Sequence, residues 1–518
     1  VGIIASSFPD VALSDKSITQ RVFEGIDPEM PLLVDGPSGR SYTGAQFMGA
    51  VKSLAGGLDA RDMASGKCVA LMLPNIPEYC IAFHGVAWAG GTVTTINPTY
   101  TAHEVNHQLR DASANTLVTI EMFLDTAREA ITGTGVTQIV VIGDAPEGTI
   151  AFSDLMGAPM AEQAPIDVVD HVVALPYSSG TTGLPKGVML THQNLVVNTD
   201  QTLAPSDLSP GEMTVVFLPF FHIYGLQVMM NAYLAAGGGL VTMPRFDLEQ
   251  YLDFITEYKT PRLWIVPPVA LALAMHPVID KYDLSFTEQI FCAAAPLGKD
   301  VGDALAGRLN ARVNQGYGMT ELSPVSHISP FGKGKSGASG VTIPNTECRI
   351  VNIETMEDAA DGEDGELWIR GPQVMKGYLN NPTATAETIV EGDWLRTGDI
   401  AHFDNEGFVY ITDRLKELIK YNGFQVAPAE LEAELLTHPD IVDAAVIGKP
   451  DDAVGELPMA FIVAAPGQAA PDLDAVQAYL GNRLAHYKQV RVLEVIDEVP
   501  KSPSGKILRR FLKDRITD

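Results

Sequence analysis

Residues 177–187 read Tyr-Ser-Ser-Gly-Thr-Thr-Gly-Leu-Pro-Lys-Gly, and their residue types suit the holding of a polyphosphate. Glycines such as Gly180 let backbone N–H groups approach phosphate oxygens. The hydroxyls of Ser178, Ser179, Thr181 and Thr182 donate further hydrogen bonds, and Lys186 adds a mobile positive charge. The stretch does not follow the Walker pattern, because Pro185 takes the place of its second glycine and Gly187 follows the lysine where Ser or Thr is required. A plain surface loop of small polar residues would have the same composition. A second segment, Gln315-Gly-Tyr-Gly-Met-Thr-Glu321, sets glycines around an aromatic ring and ends in a hydroxyl and a carboxylate. Tyr317 offers a ring to stack on a base, and Thr320 with Glu321 can reach a phosphate and its magnesium. Taken alone, this second signal is weak.

The elements that must position these groups show in the hydrophobic pattern. The first loop lies between apolar runs at 172–176 and 188–190, which read as strands. Strand-like runs at 68–73, 92–96 and 116–120 alternate with helix-like stretches at 78–89 and 103–111. The same texture recurs at 214–218, 239–243, 263–266 and 289–293, with a helix at 248–258. Such alternation predicts an α/β fold of parallel-type sheets covered by helices. After about Gly332 the chain turns to a Gly/Ser/Lys segment and then to short strands at 347–351, 365–369 and 407–411, a β-rich subdomain. Beyond Arg414 the order is strand, helix (428–437), strands (442–448 and 459–464), helix (473–484), strand (491–496) and a basic terminal helix. That describes a small α+β module, of a size that folds alone. The expected division is a large N-terminal domain over 1–414 and a C-terminal domain over 415–518.

Composition narrows the function classes. A chain of 518 residues exceeds one compact core, and 46% hydrophobic content is ample for two. With 35 basic against 64 acidic residues, the net charge of −29 argues against non-specific binding to nucleic acid or anionic membranes, so any anionic ligand must be met by local cations. Cys68, Cys80, Cys292 and Cys348 show no metal-ligand or redox spacing and read as buried reduced thiols, which suits the cytoplasm. No apolar run reaches membrane-spanning length, and neither a secretory leader nor a peroxisomal address is recognisable.

The loop at 178–187, the segment 315–321, Arg396-Thr-Gly-Asp399, Asp413-Arg-Leu-Lys416 and Ser504-Gly-Lys506 occur in an order and spacing that resemble the adenylate-forming superfamily: acyl-CoA synthetases, nonribosomal adenylation domains and luciferases. The resemblance covers essentially the whole chain. Phe221-His-Ile-Tyr224, Ala294-Ala-Pro-Leu-Gly298 and Leu418-Ile-Lys420 look most like 4-coumarate:CoA ligases and their bacterial relatives. The resemblance implies two half-reactions. A carboxylic acid attacks the α-phosphorus of ATP to release pyrophosphate, and coenzyme A then displaces AMP from the acyl adenylate. It also implies a mobile C-terminal domain.

Carried over position by position, the resemblance gives each group a role. Ser178, Ser179, Gly180, Thr181, Thr182 and Lys186 would hold the β- and γ-phosphates, and Thr320 and Glu321 the α-phosphate and Mg²⁺. Gln315, Gly316 and Tyr317 would line the nucleotide site. Asp399 would accept the ribose hydroxyls, and Arg414 would bind ribose or phosphate oxygens. Lys506 would bridge the attacking carboxylate and the α-phosphate, with a basic helix rim as the plainer reading. Lys416 would be the hinge. After rotation, Lys420 and the segment to Gln425 would serve thioester formation beside Asn422 and Gly423, although Asn422 replaces a lysine usual in the family and weakens support for CoA. His222, a lone histidine in an apolar run, becomes a gate or thiol-activating base. Arg245 would contact CoA or else pair with Asp247 or Glu249. Ile223, Tyr224, Ala293, Ala294, Gly316, Met319, Pro324 and Val325 would form the acyl pocket, a flat slot in which the Tyr224 hydroxyl can meet a ring substituent. A 4-hydroxycinnamate is the expected acid. A medium-chain fatty acid, transfer to a carrier protein and a luciferase-like monooxygenase are the alternatives.

Overall fold

Cys68–Leu71 and Ala114–Ile120 stand at the centre of the largest sheet, where both faces are covered and alternation gives way to near-continuous burial. The computed structural model describes residues 2–178, 185–390, 392–421, 424–451, 454–481, 483–484, 486–503 and 505–516. The eight-stranded sheet runs Gly377–Tyr378, Lys186–Thr191, Val172–Ser178, Thr92–Thr95, Cys68–Leu71, Ala114–Ile120, Gln138–Ile142, Ile150–Ala151. It is parallel from Val172–Ser178 onward and antiparallel at the other end. Successive residues of Cys68–Leu71 point to opposite faces. Val69 and Leu71 join the main core against helix Pro77–Trp88, while Cys68 and Ala70 pack on the other side with Val105 and Leu109 of helix Ala102–Asp111. That second helix starts at a capping box formed by Thr101 and Glu104.

A five-stranded sheet, Arg262–Ile265, Gln289–Cys292, Arg312–Gly318, Val325–Ile328, Val341–Thr342, begins parallel and turns antiparallel after Arg312–Gly318. A six-stranded antiparallel sheet is built on Glu347–Val351, Gly365–Arg370 and Trp394–Phe403 and ends at Val409–Arg414. This is the β-rich region anticipated after residue 332. Beyond Arg414, Ile419–Tyr421, Phe424–Val426, Ile441–Asp451, Gly455–Ala464 and Val492–Val495 form a separate sheet. Helices Pro428–Leu435 and Leu473–Gly481 pack on one face and Arg509–Arg515 on the other.

Two features lie outside the sequence expectation. Pro31–Asp35 and Ser41–Thr43 complete a four-stranded sheet with Met213–Val216 and Gly239–Thr242, so the N-terminal segment before residue 67 belongs to the core. Residues Tyr224–Ala232 wind as a π-helix that is buried throughout. Wider winding of this kind often marks functional sites. No helix among the described residues is long and apolar enough to cross a membrane, and all four cysteines are buried and free.

Candidate active site

The ends of the central strands and the residues beyond Arg414 enclose a cavity of about 1360 Å³. It is larger than a typical small-ligand pocket and has room for a nucleotide and a second molecule. One part is polar. Strand Val172–Ser178 delivers the Ser178 hydroxyl, which donates to Glu321 Oε1 at 2.9 Å, and the Tyr378 hydroxyl donates to the same oxygen at 2.8 Å. Glu321 lies in the short turn Thr320–Leu322 and is 4% exposed, with Oε2 left unpartnered among the described residues. Lys186 opens the next strand and holds its ammonium 4.2 Å from the Tyr378 ring centre, facing the same space.

Asp399 is held from two sides. The Tyr317 hydroxyl donates to Oδ2 at 2.5 Å, and Arg414 Nε lies 3.3 Å from Oδ1. The Asp399–Arg414 proximity follows from strand register, since the two residues face each other across an antiparallel pair. Burial pushes the Asp399 carboxyl above the ordinary range, against the opposing pull of Arg414. The irregular stretch of strand before it is fixed by Glu366, a residue not singled out by sequence reasoning. Glu366 is 3% exposed, accepts from the Gly398 N–H at 3.2 Å and from Arg396 Nη2 at 2.9 Å, and so pins Arg396-Thr-Gly-Asp399 from beneath.

Lys506 enters from beyond Arg414. Its loop is a tight turn in which the Gly505 N–H donates to the Ser502 carbonyl at 2.8 Å and the Lys506 N–H to Ser502 Oγ at 3.1 Å. Gly505 has φ +79°, and a Cβ there would stand 3.1 Å from Pro268 Cδ, so the turn is pressed against the start of helix Pro267–Met275. The ammonium makes no ion pair among the described residues. Burial, followed by repulsion from Arg414, lowers its pKa to about 8, while Glu417, Asp399 and Glu321 pull the other way. His222 also senses the Lys506 charge. Lys506 therefore sits where the polar part of the cavity meets its apolar arm.

The apolar arm is walled by Ile223 and Tyr224 at the start of the π-helix, by Ala293 and Ala294, by Gly316, and by Met319, Pro324 and Val325. Ala294 takes φ +74°, a left-handed conformation that costs an alanine about 1 kcal/mol. Trp264 and Phe291 form a floor that the sequence reading missed, their rings stacked at 4.3 Å between neighbouring strands. The Tyr224 hydroxyl is buried in this arm with no hydrogen-bond partner among the described residues.

Several expected residues stand elsewhere. Both ends of the Gln315 amide are taken by Leu297, whose N–H donates to Oε1 at 2.9 Å and whose carbonyl accepts from Nε2 at 3.2 Å. Gln315 thus braces the loop and lies outside the cavity lining. His222 Nδ1 accepts from the Tyr224 N–H at 3.2 Å, which places the ring proton on Nε2, and burial lowers its pKa to about 4. His222 lines the cavity beside Ile223 and Tyr224. Arg245 is exposed, outside the cavity lining, and makes no ion pair with Asp247 or Glu249 among the described residues. Lys416 lines the cavity, but Lys420 is exposed on Ile419–Tyr421 and does not. Ser179, Gly180, Thr181, Thr182, Asn422 and Gly423 lie outside the described residues, as does the side chain of Gln425.

A nucleotide-sized polar pocket joined to an apolar arm at a lysine delivered by a turn beyond Arg414 defines an adenylate-forming enzyme. The chain belongs to the AMP-binding enzyme family, which it matches over residues 25–379, with the family's C-terminal domain matched over 430–506. It is 41% identical to 4-coumarate--CoA ligase 1 of Petroselinum crispum over 99% of this chain and 97% of that one. Identity to 4-coumarate-CoA ligase 1 of Narcissus pseudonarcissus is 40%, over 99% and 96%. Among solved structures, the anthranilate CoA ligase AuaEII in complex with anthranoyl-AMP superposes with TM-score 0.91 at 25% identity, covering 98% of both chains. ATP-bound MatB from Rhodopseudomonas palustris superposes with TM-score 0.89 at 28% identity, covering 98% of this chain and 99% of that one.

Proposed function

We propose that the chain is an ATP-dependent carboxylate:CoA ligase acting on 4-coumarate or a close hydroxycinnamate. The observation that carries this reading is the position of Lys506 at the junction of the two parts of the cavity. An acid seated in the apolar arm would present its carboxylate there to the α-phosphate of ATP, and a cation between two approaching anions offsets their repulsion where water is excluded. The acid oxygen bonds to the α-phosphorus, pyrophosphate leaves, and the acyl adenylate forms. The thiol sulfur of CoA then bonds to the acyl carbon, AMP leaves with the acid's oxygen, and the thiol proton is released.

Within this reading Asp399, oriented by Tyr317 and Arg414, accepts the ribose hydroxyls, while Lys186 and Ser178 face the outer phosphates. Glu321 fits a magnesium site, because one buried carboxylate with a free oxygen, supplemented by substrate phosphates, is the usual protein share of such a site. Magnesium would neutralise phosphate charge there. No three-residue metal cluster exists among the described residues, which is compatible with an ion held largely by substrate. The boundary near Arg414 is read as a hinge at Lys416, with residues 415–518 turning as a unit between the half-reactions. Lys506 at the cavity and Lys420 outside it are what the adenylate-forming orientation requires.

The Tyr224 hydroxyl, without a partner among the described residues, favours a hydroxylated ring over an aliphatic tail, since a buried hydroxyl without a partner is unfavourable and a ring hydroxyl would satisfy it. Tyr224→Phe is expected to lower kcat/KM for 4-coumarate about 10-fold while leaving unsubstituted cinnamate within about 2-fold. Equal losses for both acids would remove Tyr224 as the discriminating group.

A further inference from the structure

Helix Pro428–Leu435 begins without a cap of its own, because Ala427 at the N-cap position has no side-chain acceptor. The acceptor comes from the far side of Lys416. Asp413, on strand Val409–Arg414, is 5% exposed. Its Oδ2 accepts from the Ala429 N–H at 3.0 Å and its Oδ1 from the Arg414 N–H at 2.6 Å. The charged groups around this carboxylate are Arg414 on its own strand, Glu417 just after the turn, Glu432 on the capped helix and Arg509 on the terminal helix. Arg509 pairs with Glu432 at 2.7 Å and with Glu417 at 3.1 Å. Those pairs join residues that all follow Lys416, so they travel together if the small domain turns. The bond from Asp413 to Ala429 does not.

A carboxylate is a costly group to bury, and here burial pushes its pKa up to about 6, so its place needs a compensating role. A carboxylate at a helix N-terminus satisfies orphan N–H groups and meets the positive end of the helix dipole. We propose that Asp413 is a positioning residue for adenylate formation: it caps a helix of the small domain from the large one and so holds the orientation in which Lys506 reaches the cavity. This rests on the proposed two-step function and its hinge. When the domain turns for the second step, the cap is lost, so Asp413 favours the first orientation without contributing to the second.

The experiment measures the two half-reactions separately in the full chain. Acid-dependent ATP–pyrophosphate exchange without CoA reports the first step, and CoA ester formation from preformed coumaroyl-AMP reports the second. Asp413→Ala is expected to slow exchange about 5- to 10-fold, the ordinary effect of losing a cap, and to leave the second step unchanged or faster. Asp413→Asn, which keeps an acceptor oxygen, should restore most of the exchange. Should Asp413→Ala not fold, Ala429→Pro removes the donor instead and should reproduce the imbalance. Proline is tolerated in a first helical turn, as Pro267 and Pro268 show in this chain. Lys506→Ala separates the two claims. If it spares exchange, the proposed function fails. If it abolishes exchange while the Asp413 or Ala429 variants change both steps equally or neither, the positioning role is overturned.

Discussion

Lys506 loses solvent and makes no ion pair among the described residues, and its pKa of about 8 follows from burial and from repulsion by Arg414. The charged ammonium is the form that can stand between carboxylate and phosphate, so the free enzyme should lose adenylation as pH rises through about 8. Bound polyphosphate would favour the charged form and move the limb upward. kcat/KM for ATP is therefore expected to fall about tenfold per pH unit above 8, with the fall in kcat displaced to higher pH. A pH–rate profile checks this, and a flat kcat/KM to pH 10 would contradict it. Lys506→Ala should reduce acid-dependent pyrophosphate exchange by on the order of 10²-fold or more.

At the scale of elements, the turn carrying Lys506 relies on Gly505 in two ways, its positive φ and its close approach to Pro268. Gly505→Ala meets both obstacles, so it should lower pyrophosphate exchange at least 10-fold while sparing thioester formation from preformed acyl-AMP. Loss of both activities together would mean that the turn matters to folding instead. The parts of the cavity that were legible in the sequence are short segments in which chemistry needs neighbouring residues: Ser178 and Lys186, 316–321, 396–399 and Lys506. The pieces that were not depend on register between distant strands. Trp264 and Phe291 meet because their strands pair in parallel, and both strands are buried on two faces, so no alternation announces which side chains face the arm. Glu366 reads as one more acid in a strand until the pairing of Gly365–Arg370 with Trp394–Phe403 brings Arg396 and Gly398 to it. Gln315 illustrates the converse. It lies in a recognisable motif, yet its amide braces Leu297.

For the whole molecule, the contrast between Lys506 at the cavity and Lys420 outside it makes the proposed rotation testable through separate losses. Lys420→Ala is expected to leave pyrophosphate exchange within about 2-fold and to slow CoA ester formation by on the order of tenfold or more. Equal damage to both steps would place Lys420 outside that division of labour. The most direct test of adenylyl transfer itself follows one oxygen atom. 4-Coumarate labelled with ¹⁸O in its carboxylate, turned over with ATP and CoA, should deliver one labelled oxygen to AMP, because that oxygen bonds to the α-phosphorus and leaves with it on thiolysis. Label in inorganic phosphate or pyrophosphate, with none in AMP, would contradict the account.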